Sequence, residues 1–256
     1  MTVCPHPDRA EYKRENTMQS DQTDPELGDG TLEELRKAVV EAALPNVVFD
    51  GWTDKTLAEA VEDAGVDPKL SRLAFPRGGL DLAIAFHDQC DARLGELMDA
   101  GDMSNLRYSE KVARAIEVRL EMLEPHREAV RRAVALFALP TNAAEGARAI
   151  WRTTDTIWTV LGDTSEDVNW YTKRATLSGV YSAVVLYWLG DESPNMESTR
   201  EFIARRIDNV MQFEKAKASF KSSPLGRAFD SGPGRILEKI RKPGQGAPDM
   251  PGRWRQ

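Results

Sequence analysis

The chain has 256 residues, of which 41% are hydrophobic and 29% charged, which is enough for one folded core between polar termini. The net charge of −7 argues against a molecule that binds nucleic acid through its overall charge. The charge is uneven, because residues 214–256 carry +6 and the remainder therefore carries −13. A separate basic segment suits an anionic membrane surface.

The two cysteines, Cys4 and Cys90, give no disulfide framework and suit a reducing compartment. The N-terminus shows no charged-then-apolar export signal. The longest apolar run, residues 180–189, is interrupted by Ser182 and is too short to span a bilayer. We therefore expect a soluble cytoplasmic protein that contacts the inner face of the cell membrane peripherally.

Residues 1–30 are acidic and poor in large apolar side chains, which predicts a disordered N-terminus. A capping box of Thr31 and Glu34 predicts that the first helix begins there, and Pro45 is expected to end it. Two short helices follow, divided by a turn at residues 64–66, and the second is opened by Asp67. Residues 31–80 thus resemble a helix-turn-helix module.

Residues 81–220 are predicted to form a larger helical bundle, with helices over residues 80–98, 108–123, 127–139, 143–161, 170–189 and 197–220. The fifth of these is apolar nearly all round near its end, so we expect it to be central and buried on every side. No β-strand pattern occurs. The fold class is therefore all-α, with the remaining residues, 221–256, as a flexible basic tail.

No catalytic residue, metal site or cofactor motif is found in the sequence. His87 and Cys90 lie one helical turn apart, but zinc requires further ligands, so a packed cysteine beside a half-exposed histidine is the favoured interpretation. Phosphate-binding glycine loops and nucleophile elbows are also missing. We therefore expect the protein not to be an enzyme.

The helix-turn-helix-like module raises the alternative of a DNA-binding regulator with an apolar effector pocket. Residues 50–80, however, contain four basic and six acidic side chains, and a surface that faces phosphates should be positive. We therefore do not expect a nucleic-acid partner.

A family resemblance becomes specific at GDTSEDVNWYTKRATLSGVYS, residues 162–182, followed by YWLGDES at 187–193 and by Phe202, Arg205, Arg206 and Ile207. Residues 30–220 resemble the ubiquinone (coenzyme Q) biosynthesis accessory family, the "Coq-nine" family. The resemblance implies a tetracycline-repressor-like fold that binds isoprenoid lipids or polyprenylated quinone precursors. It also implies delivery of the precursor to the demethoxyubiquinone hydroxylase.

The same resemblance places a hydroxylase-binding patch on the Trp-Tyr pair, which is Trp170 and Tyr171 in this chain. We include the neighbouring Asn169, Lys173 and Arg174, since aromatic side chains flanked by cations are typical interface anchors. The alternative is that both aromatics only fasten the start of the helix to the core.

For the lipid we expect contacts with the apolar faces of the bundle, at Trp151, Trp158, Val180, Tyr181, Val184, Tyr187 and Trp188. An ordinary filled core has the same composition and stays an open alternative. In the basic tail, Ile236, Leu237 and Ile240 share one helical face while Arg235, Lys239 and Lys242 share another, which suits membrane contact as well as it suits a flexible tail. The hypothesis also admits a homodimer.

Overall fold

The computed structural model describes residues 29–99 and 103–222, and the side chains of residues 31–98 and 103–212. In these ranges the chain is helical and contains no strand, as the sequence predicts. The helices are α1 (Asp29–Asp50), α2 (Asp54–Asp63), α3 (Pro68–Ala74), α4 (Gly79–Asp99), α5 (Tyr108–Leu123), α6 (Arg127–Phe137), α7 (Ala143–Val160), α8 (Val168–Leu189) and α9 (Glu197–Ser222). Two 3-10 turns, Glu124–His126 and Pro194–Met196, precede α6 and α9.

Helix α4 joins the N-terminal module to the larger bundle. It packs against α1 and α2 of the module and against α5 and α7 of the bundle. Helix α8 packs against α5, α7 and α9. The prediction that α8 is buried on every side is wrong near its end, where Leu186 is 62% exposed. That side of α8 is not covered by another helix of the described ranges.

Helix α1 differs from its prediction at both ends. It begins at Asp29, so Thr31 lies inside the helix and does not cap it, and residues 29 and 30 belong to the fold. It also continues through Pro45 to Asp50. Proline removes one backbone hydrogen bond, but Pro45 is exposed while Val47 beyond it is completely buried, so packing holds the last turn in place.

The module made by α1, α2 and α3 has the predicted turn and cap. Gly65 has a φ of 64°, and the N–H of Val66 donates to the carbonyl of Val61, which is the hydrogen-bond pattern of a glycine-ended helix. The Asp67 carboxylate accepts from the backbone N–H of Lys69 and caps α3. The Trp52 indole N–H donates to the Ala129 carbonyl at 2.9 Å and joins this module to α6.

The helix bounds in the bundle follow the predictions to within a few residues. Helix α5 has the predicted bounds, and α6 ends at Phe137, two residues earlier than expected. Helix α8 begins at Val168 because the side chain of Asp167 caps it.

Along the described part of the chain, the structure offers no helix with the length and apolar content that a bilayer crossing requires. The predicted membrane-contact residues 235–242 lie outside the described residues.

Two glycines inside helices give a matched test of how closely α6 and α7 pack. A Cβ at Gly146 of α7 would lie 2.8 Å from the Phe137 Cβ, whereas a Cβ at Gly179 of α8 would meet no atom within 4 Å. We expect Gly146→Ala to lower the free energy of unfolding by about 2 kcal/mol, because neither helix can yield without losing contacts. Gly179→Ala should raise it by up to about 1 kcal/mol, since alanine favours helix.

Urea unfolding of both variants measures these free energies. Equal effects of the two substitutions would show that α6 and α7 are not in the close contact described.

Candidate functional site

A cavity of about 440 Å³ lies between α4, α5, α6, α7 and α8. Most of its wall is apolar, formed by Phe86, Leu123, Val130, Val134, Phe137, Ile150, Val185 and Leu186. Leu186 and the small residues Ala138, Ala143 and Ala147 on its lining are exposed, so the cavity reaches the surface there. This size is typical of sites for small organic ligands.

The cavity exists because small side chains face it from the ends of α6 and α7. Helix α7 contributes Ala143, Gly146, Ala147 and Ala149 within two turns. The absence of a side chain at Gly146 lets α7 approach α6 closely. The two helices therefore stay in contact while the space beside them is left unfilled.

A polar base closes the inner end of the cavity. The Arg119 guanidinium of α5 is completely buried, and its Nη2 lies 2.9 Å from Asp91 Oδ1 of α4. The Thr153 hydroxyl of α7 donates to the same carboxylate at 2.9 Å, and His87 Nε2 lies 3.4 Å from it. Burial alone would raise the pKa of Asp91, but Arg119, His87 and Thr153 hold that pKa below its ordinary value. Asp91 is therefore a carboxylate.

Tyr181 of α8 and Cys90 of α4 complete the surroundings of Arg119. Burial raises the pKa of the Tyr181 phenol and of the Cys90 thiol, even though Arg119 opposes both shifts. Both groups are therefore neutral near pH 7. Arg119 and Asp91 thus form one neutralised ion pair beneath an otherwise apolar wall.

Of the residues predicted to contact lipid, Tyr181 borders this cavity and the other six have other surroundings. Val184 and Trp188 are completely buried, and the Trp188 indole donates to Glu124 at 2.8 Å. Trp158 stacks on Tyr108 at 5.8 Å. Tyr187 stacks on Phe202 at 4.4 Å, Val180 is half-buried, and Trp151 belongs to the aromatic cluster described below. Filled core and cavity therefore coexist in the bundle.

Sequence reasoning missed the polar base, although one signal was available. Arg119 occupies the apolar face of α5, on which Val112, Ile116, Leu120 and Leu123 are buried. An arginine at a core position requires a buried partner. His87 was expected to be a half-exposed histidine beside a packed cysteine, with a metal ligand as the less favoured alternative. Its hydrogen bonds to Ala149 and Thr153 were not anticipated. Among residues 29–99 and 103–222 no group of side chains could hold a metal ion.

Trp170 and Tyr171 of the predicted partner patch form an aromatic cluster with Trp151, which was predicted to contact lipid, and all three are half-buried. The ring centroids of Trp170 and Tyr171 lie 4.8 Å apart in edge-to-face contact, and that of Trp151 lies 5.9 Å from Trp170. The neighbouring Asn169 is exposed, and its side-chain amide donates to Asp167. The cluster therefore combines a fixed geometry with partial access to solvent.

The two cations beside the cluster are engaged inside the protein. Arg174 is 3% exposed, lies 4.0 Å from the Trp170 ring centroid, and pairs with Asp155 and Asp163. Lys173 Nζ lies 2.7 Å from Asp163 Oδ1. Arg174 can consequently affect a partner only through the position of Trp170.

Some of the basic side chains in and next to the module of α1 to α3 are paired with carboxylates. Lys55 is paired with Asp50 and Glu59, and Arg77 is paired with Asp81 and Glu145. Two of the four cations counted in the sequence are therefore already neutralised. This observation does not favour the DNA-binding alternative.

The comparisons with known proteins identify the family. The COQ9 family model matches residues 143–214, the segment that holds much of the cavity wall and the whole aromatic cluster. Ubiquinone biosynthesis protein COQ9, mitochondrial, from Rattus norvegicus is 31% identical over 221 residues, which are 83% of this chain and 70% of that protein. This chain belongs to the COQ9 family. The human COQ9 protein is 30% identical over 198 residues, 75% of this chain and 62% of its own length.

The fold is also found in a solved structure. The TetR transcriptional regulator from Nitrosomonas europaea ATCC 19718 superposes with a TM-score of 0.53 and 22% identity, covering 68% of this chain and 97% of the regulator. The tetracycline-repressor-like fold predicted from the sequence is confirmed. At this identity the likeness concerns the fold alone.

The expected location in the cytoplasm, at the inner face of the cell membrane, is wrong. The COQ9 relatives from rat, cattle and human are all named as mitochondrial proteins. A low cysteine content indicates a reducing compartment, but it does not distinguish the cytosol from another one.

The buried pair of Asp163 and Arg174 predicts a pH-dependent contribution to stability. Burial alone would raise the pKa of Asp163, but hydrogen bonds from Lys173, Ser165 and Arg174 lower that pKa from 3.8 to about 2. We expect Asp163→Asn to lower the free energy of unfolding by about 3 kcal/mol at neutral pH, because it leaves a buried guanidinium short of a partner. A carboxylate with a lowered folded-state pKa stabilises above its unfolded value and loses that effect as pH falls.

The difference between wild type and Asp163→Asn should therefore be full above 3.8 and shrink as the pH approaches about 2. Urea unfolding across this interval measures it. Asp155→Asn is the matched control: Asp155 also pairs with Arg174 but is 45% exposed, so a loss of at most about 1 kcal/mol is expected. A constant difference at every pH would contradict the assignment.

Proposed function

We propose that this COQ9-family chain is a non-catalytic lipid-binding accessory protein of ubiquinone biosynthesis. It binds a polyprenylated quinone precursor in the cavity and presents that precursor to the demethoxyubiquinone hydroxylase. The observation that carries the proposal is the apolar cavity between α4 and α8. It is large enough for an organic ligand and open to the surface beside Leu186.

The character of the wall supports an isoprenoid ligand. Branched aliphatic and aromatic side chains line most of it, and burial of prenyl carbons against them is favourable in proportion to the area removed from water. A tail longer than the cavity continues outward past Leu186, where the lining is exposed. The lipid is therefore shielded at one end and accessible at the other.

The partner surface is the aromatic cluster at the start of α8. Trp170 and Tyr171 are half-buried and rigidly oriented by Trp151 and Arg174, so little side-chain entropy is lost when a partner covers them. Ile150 borders the cavity and its neighbour Trp151 belongs to the cluster. Helix α7 thus runs from the ligand site to the partner surface.

Filling the mouth of the cavity tests lipid binding. Ala147 is exposed and lies on the lining, so we expect Ala147→Trp to fold normally and to reduce co-purified isoprenoid lipid at least several-fold, because the indole occupies the space of the ligand. Lipid extraction followed by mass spectrometry measures the bound lipid per protein. Ala144→Trp is the matched control, since Ala144 is exposed on the same helix but does not border the cavity.

Equal lipid content in the two tryptophan variants, or a wild-type protein that carries no lipid and rejects an added prenylated quinone, would overturn the lipid-carrier proposal.

Removing Trp170 tests the partner surface. We expect Trp170→Ala to weaken binding to purified demethoxyubiquinone hydroxylase by about tenfold or more, since central aromatic anchors dominate interface energies. Surface plasmon resonance measures the affinity. Phe49→Ala is the control, because Phe49 is 77% exposed at the end of α1 and outside the proposed surface.

The circular dichroism spectrum and melting curve distinguish the alternatives. A folded Trp170→Ala variant with unchanged hydroxylase affinity would contradict the partner assignment. An unfolded variant would show that Trp170 only fastens α8 to the core.

A further inference from the structure

Tyr108, the first residue of α5, is a further aromatic side chain with access to solvent near the aromatic cluster. It is 48% exposed, and its ring stacks on the Trp158 indole of α7 with the centroids 5.8 Å apart. Trp158 is only 8% exposed, so it gives the tyrosine a fixed support. Leu106, two residues earlier, is 36% exposed. Tyr108 and Leu106 thus form a partly exposed apolar surface, which we call the α5 anchor.

A layer of paired charges, formed by Asp163, Lys173 and Arg174, joins the α5 anchor to the aromatic cluster. Lys173 Nζ lies 5.5 Å from the centroid of the indole that supports Tyr108, and 2.7 Å from Asp163 Oδ1. The other oxygen of Asp163 pairs with Arg174, whose guanidinium carbon lies 4.0 Å from the Trp170 ring centroid. Burial raises the pKa of the Tyr108 phenol, and the Asp163 carboxylate raises it further, whereas Arg174 lowers it. The two aromatic groups therefore belong to one continuous surface.

The aromatic cluster alone is too small for a specific protein interface. Such interfaces bury roughly 800 Å² on each partner, whereas Trp151, Trp170 and Tyr171 are all half-buried already. A partner seated on the cluster therefore covers neighbouring surface as well. The α5 anchor adds one exposed aromatic ring and one exposed leucine to that surface without any change in the fold.

We propose that the α5 anchor is a second docking point for the demethoxyubiquinone hydroxylase, so that the partner covers the surface from Tyr171 across Lys173 to Leu106. It rests on the proposed function and adds a contact on a different helix. Tyrosine is one of the residue types that dominate the binding energy of protein interfaces. Because the Trp158 indole already fixes Tyr108, little side-chain freedom is lost when a partner covers it.

The charges around the α5 anchor favour a protein partner over a membrane. Lys173 and Arg174, the cations of the connecting layer, both pair with Asp163. Arg107, at the α5 anchor itself, pairs with Glu110. Attraction to anionic lipid head groups requires cations that are free to approach phosphates. Paired charges suit a protein interface, in which a charged group must have a partner when water is removed.

Alanine substitutions measure the contribution of the α5 anchor. We expect Tyr108→Ala to weaken binding to the purified hydroxylase by about threefold to tenfold, and Leu106→Ala by about threefold, because each removes buried contact area from the complex. Surface plasmon resonance measures the affinities. Phe49→Ala and Leu73→Ala are the matched controls, since their side chains are 77% and 62% exposed outside the proposed surface. Neither control should change the affinity.

Photocrosslinking tests proximity directly and covers the case in which the alanine variants do not fold. Tyr108→p-benzoylphenylalanine should crosslink to the hydroxylase on irradiation, and so should the same substitution at Tyr171. The substitution at Phe49 should give no crosslink. A weakened Tyr108→Ala variant without a crosslink from position 108 would show that Tyr108 only positions its neighbours, which overturns the second docking point.

The remaining outcomes separate this inference from the proposed function. A crosslink from position 171 but none from position 108, or an unchanged hydroxylase affinity in folded Tyr108→Ala, would overturn the second docking point and leave the partner intact. If Tyr108→Ala instead lost binding to phosphatidylcholine–cardiolipin vesicles, or lost self-association in sedimentation, the surface would belong to a membrane or a second copy. A wild-type protein that does not bind the hydroxylase would overturn the proposed partner itself.

Discussion

The buried ion pair between Arg119 and Asp91 is the constraint on which the bundle depends. It joins α5 to α4, and the Thr153 hydroxyl brings α7 into the same hydrogen-bond network. Buried charges are tolerated only when their geometry and secondary hydrogen bonds are good, so the three helices have little freedom to shift. The cavity lies directly beside this network.

Helix α8 contributes to both the aromatic cluster and the cavity wall. Its first turn carries Trp170 and Tyr171, and its later turns carry Tyr181 and Leu186 on the cavity wall. At 1.5 Å per residue the Cα of Tyr181 is roughly 17 Å along the helix axis from that of Trp170. The match to the COQ9 family model covers both regions.

The parts of the fold that local signals control could be predicted from the sequence. The Gly65 turn, the cap at Asp67 and the bounds of α5 are set by residues close in the chain. The course of α1 past Pro45 could not be predicted, because it depends on the burial of Val47 by other helices. Local rules describe a helix end well only when tertiary packing does not oppose them.

The site was predicted less completely than the fold. The aromatic pair was found through the family resemblance, but the position of the cavity depends on which helix faces lie opposite one another. A filled core and a cavity have the same composition, so Trp188 and Tyr181 could not be told apart in the sequence. Arg119 was visible as a charge on an apolar face, but its partner Asp91 lies on a different helix. The cellular location was predicted wrongly, because the sequence features used for that prediction do not specify a compartment.

Most of the small side chains of the cavity stand on other helices than Arg119 and His87, although Ala83 shares α4 with His87. Alanines and Gly146 leave room along α6 and α7, whereas His87 and Arg119 belong to α4 and α5. The residues that set the size of the cavity and those that set its polarity therefore lie largely in separate parts of the chain. Exchanging one methyl group for a larger side chain on α7 therefore changes the volume of the cavity without touching Arg119, so its size and its polarity can vary independently among related proteins.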